Sequence, residues 1–458
     1  LFRSQVLTGA GVLHERAHGP NGLVAGMVGA GKSELLQTLV ASYAVNFPPE
    51  QLAFVLIDYK GGGMAKPLAT LPHTLGVVTN LQEGNEALRA LTSFKVEIER
   101  RERLFAEANV SHIDDYQRRY AQGRAPEPLP YLIIIVDEFA EMRTEQPAVA
   151  REFVRIARVG RALGFRMILA MQKPAGIVDG QIEANTRFRL CLRVAQTEDS
   201  QAMLRTPDAA YLAGVGRAYF QVGVNEIYRA FQVAWAGAPY RPQAEADADD
   251  RVISAVALNG ERTALATPAA AKPKADEPTQ LQAVAAHLLE VYAEYSSARP
   301  PLRRLWLDPL PERVALPDLV PGAPWHRPAW AGEPATWLAP VIGLADDPRR
   351  QWQGPLALDL GRHGHAALYG APGYGKTTLL QTLVLSLAMA HAPTDVNLYL
   401  LDFGGQLLKL FEPLPHVGAV IAADETERLG RLWRWLHANQ QAKKPQPSAR
   451  AQGWPPSA

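Results

Sequence analysis

The amino-acid sequence predicts an α/β fold in which parallel strands are flanked by helices, and it predicts this fold twice along the chain. Three observations lead to this prediction. A short apolar run, a glycine-rich loop and a helical run follow one another from residue 22, an apolar run at 132–136 ends in two acidic residues, and the first pattern returns near residue 370. Buried strands that alternate with helices are typical of a parallel sheet covered on both faces.

Length and composition limit what these two copies can be. A chain of 458 residues is too long for a single compact core. Domains typically hold about 100–200 residues, so two or three domains are expected. A formal charge of +1 weakly disfavours a dedicated nucleic-acid binder. The single cysteine, Cys191, excludes an internal disulfide and a cysteine-cluster metal site, and a buried apolar role in a reducing compartment is expected. The chain begins without Met, and we expect it to be a fragment of a longer protein.

The first glycine-rich loop, GMVGAGKSE, satisfies the pattern G-x-x-x-x-G-K-[ST] and lies between an apolar run and a helical run. Glycines allow backbone N–H groups to turn inward around phosphates at a helix N-terminus, whose partial positive charge also attracts anions. Lys32 is expected to reach the β and γ phosphates, and the Ser33 hydroxyl to bind Mg²⁺. The predicted nucleotide-binding residues of this loop are Gly26, Gly29, Ala30, Gly31, Lys32, Ser33 and Glu34.

Polar residues at the ends of three further strands complete the predicted site. Asp137 and Glu138 follow the apolar run in YLIIIVDEF. Asp137 is expected to hold Mg²⁺, and Glu138 to orient or deprotonate the attacking water. Gln172 ends another strand, where its amide is a candidate γ-phosphate sensor, and Asp58 ends a third. Ligands of open parallel sheets bind at the carboxyl ends of the strands. For Gln172 and Asp58, a purely loop-stabilising role is equally open.

The combination of GMVGAGKSE, IDYKGGGMA, VDEFAEM, RVGRALG, ILAMQKP and NEIYRAFQVAW resembles the FtsK/SpoIIIE branch of hexameric ATPases. More narrowly, it resembles the EccC/EssC family of motors in type VII (ESX/Ess) secretion. The resemblance covers nearly all of residues 15–240 and implies a RecA-like fold, with ATP and Mg²⁺ as cofactors. It also implies a catalytic arginine supplied by a neighbouring subunit, placed at Arg161, with Arg187 as the alternative.

One feature of the first loop departs from the related loops, which often read G-T-T-G-S-G-K-S. Here Met27, Val28 and Ala30 replace hydroxyl residues, so side-chain hydrogen bonds around the loop are lost. Lys32 and Ser33 are retained. We therefore expect binding and hydrolysis with a slow basal turnover.

The second copy, GAPGYGKTT, keeps the register of the first through the loop, the helix and the next strand. The separation between Lys32 and Lys376 equals that between Asp58 and Asp402. A strand corresponding to the one that ends at Asp137 falls beyond the last residue, so the second module is predicted to be truncated and its hydrolysis is left open. The resemblance implies a nucleotide-bound binding platform. Its predicted nucleotide-binding residues are Gly370, Gly373, Tyr374, Gly375, Lys376, Thr377 and Thr378, with Thr377 as the Mg²⁺ ligand.

The predicted domains are a first ATPase module at 1–240, a linker region at 241–330 and the N-terminal part of a second module at 331–458. Within the linker region, 263–280 is rich in Ala, Pro and charge and is predicted to be flexible. An amphipathic helix follows from Leu281, and then a Pro-rich segment. The resemblance suggests that this segment docks on the first module and restrains it, so deleting 306–310 is expected to raise ATPase activity.

The functional prediction is an ATP-driven motor fragment at the cytoplasmic face of the bacterial inner membrane, with the membrane anchor outside this chain. The resemblance implies three kinds of partner: small helical WXG-type substrates, membrane secretion-channel subunits, and further copies in a hexamer. A double-stranded DNA translocase and a non-hydrolysing nucleotide-dependent scaffold are the alternatives. DNA is the less favoured partner because no basic block is visible in the sequence. The repeated His73 and His416 are predicted to be turn residues, because neither has a second ligand at metal-binding spacing.

Overall fold

A computed structural model describes residues 19–59, 61, 63–79, 85–224, 226–240, 253–256, 262–266, 277–297, 302–307, 310–319 and 337–442. The chain divides into two compact units, one made of Leu1–Leu307 with Pro348–Gln351, the other of Asp308–Asp347 with Trp352–Ala458. Among the described residues, none of the helices combines the length and the apolar composition needed to cross a lipid bilayer. The two units are described separately.

The first unit contains an eight-stranded sheet in the order β3-β2-β4-β5-β1-β6-β7-β8. Strands β1 to β6 run parallel, β7 is antiparallel to β6, and β8 is antiparallel to β7. The bounds are β1 Gly22–Ala25, β2 Leu52–Asp58, β3 Thr74–Val78, β4 Tyr131–Asp137, β5 Phe165–Met171, β6 Phe188–Leu192, β7 Arg217–Val222 and β8 Ile227–Gln232.

Helices cover both faces of this sheet, as the alternation along the chain predicts. Their bounds are α1 Lys32–Asn46, α2 Asn85–Glu107, α3 Ile113–Ala121, α4 Phe139–Glu145, α5 Pro147–Val159, α6 Gly180–Asn185, α7 Thr197–Leu204 and α8 Gln280–Ser296. Every residue of β1, β2, β5 and β6 is buried, and two apolar clusters lie on opposite faces of the sheet. Strands that are apolar on both faces require such double coverage, and the predicted α/β fold is confirmed.

The amphipathic helix predicted from Leu281 is α8, and it packs against α1. Thr279 and Gln282 form a reciprocal capping box at its start, while Leu281 and Ala285 are buried. A capping box satisfies two backbone N–H groups that the first helical turn leaves without partners. The beginning of α8 is therefore fixed locally, and its buried side is fixed by α1.

The predicted flexible linker at 263–280 is wrong at both of its ends. At its C-terminal end, Thr279 caps α8 and Gln280 is the first residue of that helix. Strand β10, Arg262–Ala266, pairs antiparallel with β9, Ile253–Val256. Backbone hydrogen bonds to a neighbouring strand order an Ala- and Thr-containing segment that composition alone assigns to a linker. Residues 267–276 lie outside the described part of the chain.

The described part of the second unit repeats the glycine loop, the helix and the next two parallel strands of the first unit, but no described strand directly precedes its loop. A hairpin of β11, Val341–Asp347, and β12, Trp352–Ala357, precedes a parallel pair of β13, Leu398–Asp402, and β14, Val417–Ala422. The helices of this unit are α9 Leu316–Leu319, α10 Leu360–His363, α11 Lys376–Ala390 and α12 Thr426–Ala442.

The repeated histidines make the same contact in both units. The Nε2–H of His73 donates to the carbonyl of Phe47 at 2.7 Å, and the Nε2–H of His416 donates to the carbonyl of His391 at 2.7 Å. Phe47 and His391 each cap the helix that follows a glycine loop. Burial lowers the pKa of His73, which keeps the ring neutral. These histidines tie the loop before a strand to the end of a helix, in agreement with the prediction of a structural role.

Candidate functional site

The first glycine loop connects β1 to α1 and has the backbone conformation that the phosphate-loop pattern requires. Gly29 and Gly31 have φ of 78° and 97°, in the left-handed region that favours glycine. A Cβ on Gly29 would meet nothing within 4 Å, so the tip of the loop is open to a ligand. Helix α1 begins directly afterwards at Lys32. The N–H groups of the first helical turn have no intrahelical partner, and together with the helix dipole they make this a site for an anion such as a phosphate.

Lys32 is joined to both acidic residues at the end of β4. Its ammonium group donates to Asp137 Oδ1 and, at 2.8 Å, to Glu138 Oε1. All three side chains are at most 8% exposed. Strands β1 and β4 are separated in the sheet by β5, and the parallel arrangement brings their carboxyl ends to one edge. The structure thus brings together the three residues that the sequence predicts to lie in one site.

Burial sets the electrostatics of Asp137. It raises the pKa of this carboxyl above its ordinary value, and the nearby Lys32 ammonium lowers the pKa without cancelling the effect of burial. Glu138 and Asp58 are further negative charges that raise it. The negative charges of Asp58, Asp137 and Glu138 at this edge of the sheet therefore favour the binding of a cation.

Glu138 lies in a strained backbone conformation at the start of α4. Its φ of 58° is in the left-handed region, which is unusual for a residue with a side chain and costs about 1–3 kcal/mol. Its Oε1 accepts hydrogen bonds from both Lys32 and the Nε2 of Gln172. Strain of this kind persists where surrounding contacts impose it, and here two side-chain donors hold the carboxylate. Gln172 thus lies within the predicted site, in contact with Glu138.

The residues around Lys32 also fit a magnesium ion. The Ser33 side chain is exposed at the mouth of the loop, in the first turn of α1, and Asp137 lies at the same edge of the sheet. Hydroxyl and carboxylate oxygens are the ligands that Mg²⁺ takes, together with water and phosphate oxygens. Ser33 and Asp137 would hold the ion, and it would supply charge neutralisation for the phosphates.

Asp58 organises a loop in the first unit, and Asp402 does the same in the second. The carboxylate of Asp58 accepts a hydrogen bond from the Met64 N–H at 3.1 Å, and that of Asp402 accepts one from the Leu408 N–H at 3.0 Å. Met64 and Leu408 follow their aspartates at the same spacing. Of the two roles left open for Asp58, loop stabilisation is therefore observed.

The two candidate arginines lie at the other edge of the sheet. Arg161 and Arg187 line a cavity of about 370 Å³ together with Arg158, Arg189 and Arg205. Arg161 precedes β5 and Arg187 precedes β6, so both stand at the amino ends of strands. The seven residues of β5 span roughly 20 Å between the two edges. Neither arginine is brought to the phosphate loop of its own chain.

The second glycine loop has the same backbone but a different lysine contact. Gly373 and Gly375 have φ of 83° and 79°, and α11 begins at Lys376. The Lys376 ammonium donates to the carbonyls of Gly370 and Ala371 in its own loop, at 2.7 and 2.8 Å. The described part of the second unit has no counterpart of β4 beside β13. The lysine therefore bonds to its own loop rather than to an acidic pair.

Some residues beside the first loop were not predicted from the sequence. The Gly216 N–H donates to the Ala30 carbonyl at 2.9 Å, and the Gly237 N–H donates to Glu34 Oε2 at 3.2 Å. Trp235 lies in the second of these segments. Only the order of the sheet, in which β6 joins β1 to β7 and β7 joins β8, places them here. A local motif carries no signal for such long-range contacts.

The comparisons with known proteins agree with this geometry. The model of the FtsK/SpoIIIE family matches residues 1–176 and 334–446. The type VII secretion system protein EssC of Staphylococcus aureus is 43% identical over 429 residues, which are 93% of this chain and 28% of EssC. The chain thus spans just over a quarter of the length of this curated relative.

Two solved structures share the fold. The cytoplasmic domain of the Thermomonospora curvata type VII secretion ATPase EccC aligns with a TM-score of 0.77 and 30% identity, over 93% of this chain and 46% of that one. A structure of ATPases 2 and 3 of EccC from the same organism, in complex with a signal sequence peptide, aligns with a TM-score of 0.53 and 22% identity, over 94% of this chain and 66% of that one. Together with the tandem phosphate loops, the family match over both units shows that the chain belongs to the FtsK/SpoIIIE family.

Proposed function

We propose that the first unit binds and hydrolyses ATP as a motor module of type VII protein secretion. The observation that carries this proposal is the buried contact of Lys32 with Asp137 and Glu138 beside an open phosphate loop. A phosphate-loop lysine, a metal-binding aspartate and a water-activating glutamate are the side chains that phosphoryl transfer to water needs. They are present at one edge of one sheet.

Each residue has a role that follows from its position. The loop N–H groups and Lys32 bind the β and γ phosphates, which requires Lys32 to leave the acidic pair. Glu138, still held by Gln172, then orients the attacking water and accepts its proton. Gln172 remains beside Glu138 and is placed to sense whether the γ phosphate is present.

Arg161 acts on the nucleotide of a neighbouring copy. Its carbonyl accepts a hydrogen bond from the buried Arg166 at 2.8 Å, and the Leu163 carbonyl in the same loop accepts one from the buried Arg101 at 2.7 Å. These contacts fix the backbone of the loop. Because Arg161 lies at the edge opposite its own phosphate loop, the proposal requires an assembly in which copies meet edge to edge, as in a hexameric ring.

The domain boundaries that we propose are a first ATPase module at 1–240, a linker region at 241–330 and the first part of a second module at 331–458. The second module binds nucleotide through the loop that contains Lys376 and Thr377. We assign no hydrolysis to it, because an acidic residue corresponding to Glu138 is absent from its described part.

The secretion role rests on the similarity to EssC and EccC. Substrates are small helical WXG-type proteins recognised through carboxy-terminal signals, and the EccC structure with a signal sequence peptide supports recognition of a peptide. The cytoplasmic face of the bacterial inner membrane, beside the secretion-channel subunits, is the proposed location.

The test compares ATP hydrolysis by the unaltered chain, Glu138→Gln and Glu141→Gln. Glu138→Gln removes the proposed general base and is expected to reduce the rate of ATP hydrolysis by about 10²–10⁴-fold without weakening ATP binding. Glu141, three residues further along α4, is the matched control, and its variant should keep the rate within about twofold.

The same assay distinguishes the secretion motor from a DNA translocase. Stimulation by a carboxy-terminal substrate peptide supports the secretion motor. Stimulation by duplex DNA alone, with a steep dependence on salt, would replace it with the translocase. Absence of hydrolysis, both in the unaltered chain and after substitution of Trp306 in the segment expected to restrain the first module, would contradict the ATPase proposal.

A further inference from the structure

The segment that follows β8 lies against the start of α1. Strand β8 runs in the same direction as β1, because β7 is antiparallel to both β6 and β8, so β8 ends at the edge that carries the phosphate loop. The chain then passes through residues 233–238 along the first two turns of α1. None of the residues 233–238 takes part in the phosphoryl transfer that we propose.

Three hydrogen bonds fix the backbone of this segment. The Thr38 hydroxyl donates to the Ala234 carbonyl at 2.9 Å, the Gly237 N–H donates to Glu34 Oε2 at 3.2 Å, and the Leu281 N–H donates to the Ala236 carbonyl at 2.9 Å. Ala236 is 1% exposed. Residues on both sides of position 235 are therefore anchored to α1 and α8.

Trp235 itself is 62% exposed, although its neighbours are anchored. A Cβ added to Gly237 would lie 2.8 Å from the Trp235 Nε1 and 3.0 Å from the Glu34 Oε1. The indole thus stands next to the Glu34 carboxylate, and Glu34 is two residues from Lys32 on α1. An exposed tryptophan on a fixed backbone presents a large flat surface. Little conformational entropy is lost when a ligand binds to it, because the backbone is already ordered.

We propose that Trp235 is the platform on which the base of the bound nucleotide stacks. The triphosphate occupies the loop around Gly29 and Gly31, and the loop containing Val215 and Gly216 packs against Gly31 at 3.4–3.6 Å from its Cβ position. The nucleoside therefore extends along the outside of α1, where the indole is the exposed aromatic surface held next to Glu34. Stacking is tolerant of base identity, because every base has a π face.

This inference rests on the proposed nucleotide binding, and the experiment separates the two. Binding of mant-ATP and its displacement by ATP or by inorganic tripolyphosphate are measured for the unaltered chain and for Lys376→Ala, which removes the second nucleotide site that we propose. Four variants are then measured in the Lys376→Ala background: Trp235→Ala, Trp235→Phe, Lys32→Ala and Trp352→Ala. Tripolyphosphate fills the phosphate loop but has no base. Trp352 is an exposed tryptophan of the second unit and serves as the matched control.

Trp235→Ala is expected to weaken ATP binding about tenfold or more, while leaving tripolyphosphate binding unchanged. Trp235→Phe should retain most of the affinity for ATP, and Trp352→Ala all of it. Unchanged ATP binding in Trp235→Ala, alongside lost binding in Lys32→Ala, would overturn the platform and leave the phosphate site standing. Equal weakening of ATP and tripolyphosphate would show that Trp235 only shapes the loop, which also overturns the proposal. An unaltered chain that binds neither ligand would contradict the proposed function itself.

Discussion

Lys32 and Lys376 occupy equivalent positions in two loops whose backbones agree. Lys32 is buried between two carboxylates, whereas Lys376 donates to carbonyls of its own loop. A buried ammonium needs a paired charge, while a more exposed one is also solvated by water. The different environments of these lysines within the described residues therefore follow from the strand that ends at Asp137.

A second feature at the scale of single residues is the buried carboxylate of Glu97 on α2. It accepts hydrogen bonds from Arg100 and Arg101 at 2.8–2.9 Å. Burial by itself would raise the pKa of Glu97, but the two arginines outweigh it, and the pKa lies below its ordinary value. Because Arg101 also donates to the Leu163 carbonyl, this network supports the loop that carries Arg161.

We predict that Glu97→Gln lowers the free energy of unfolding by about 3–5 kcal/mol at pH 7, because it leaves the buried Arg101 without a paired charge. A carboxyl whose folded pKa is depressed stabilises the fold above its unfolded pKa of about 4.3. That stabilisation is lost as the pH falls through the lower folded pKa. The gap between the variant and the unaltered chain should therefore narrow below about pH 4.

Urea unfolding at several pH values checks this prediction. Glu102→Gln, an exposed position on the same helix, is the control and should shift stability by no more than about 0.5 kcal/mol. A gap that stays constant from pH 7 to acid would contradict the assigned ionic role of Glu97.

At the scale of elements, the segment 302–307 docks on the first unit against α2 and β3. Trp306 packs edge-on against Phe94, with ring centroids 6.0 Å apart, and Arg89 donates to the Leu307 carbonyl at 2.8 Å. A Cβ on Gly76 would lie 2.3 Å from the Trp306 ring, so glycine at this position of β3 makes room for the indole. Leu305 is 3% exposed. The docking expected for the Pro-rich segment at 304–319 is therefore observed within the first unit for 304–307, while 310–319 belong to the second unit.

We predict that Trp306→Ala raises the ATPase rate, because the docked segment restrains α2 and β3 beside the nucleotide-binding strands. Gly76→Val, which fills the space of the indole, should raise the rate in the same direction. Steady-state hydrolysis measures both effects, with Trp337→Ala as an exposed control in the second unit. An unchanged rate in both substituted proteins would argue against restraint and leave the docking as a stabilising contact.

At the scale of the whole molecule, the phosphate loop and Arg161 lie at opposite edges of one sheet. The catalytic unit that we propose is therefore formed by two copies. An arginine that stabilises charge on the γ phosphate accounts for about 10³–10⁵ in rate in related chemistry. A single copy supplies one half of each of two sites.

Mixing two inactive variants tests this arrangement. Arg161→Ala and Glu138→Gln are each expected to lose hydrolysis by about 100-fold or more. A mixture should recover activity, because the intact Glu138 of one copy meets the intact Arg161 of the other. Mixing Arg187→Ala, in place of Arg161→Ala, with Glu138→Gln tests the alternative arginine. No recovery with either arginine, at concentrations where the copies associate, would refute completion of the site in trans.

Much of the architecture was predictable because its signals are local. The apolar runs at 132–136 and 52–57, the glycine loops and the amphipathic pattern from Leu281 each depend on a few neighbouring residues, and the structure has the corresponding strands, turns and helix. Asp137 and Glu138 were predictable for the same reason, since polar residues at the end of a buried strand must lie at the edge of the sheet. The ordered strand at 262–266 was missed because its partner strand, rather than its composition, orders it.

The sequence by itself determined the fold class, the tandem phosphate loops and the acidic pair, because each follows from residue type and short-range spacing. Only the tertiary structure decided which residues meet across long stretches of chain. It brought Gln172 to Glu138, placed Arg161 and Arg187 at the edge opposite the phosphate loop, and set Trp235 beside Glu34. The physical reason is that sheet order and strand direction fix these contacts, and both arise from the packing of the whole unit rather than from any local pattern.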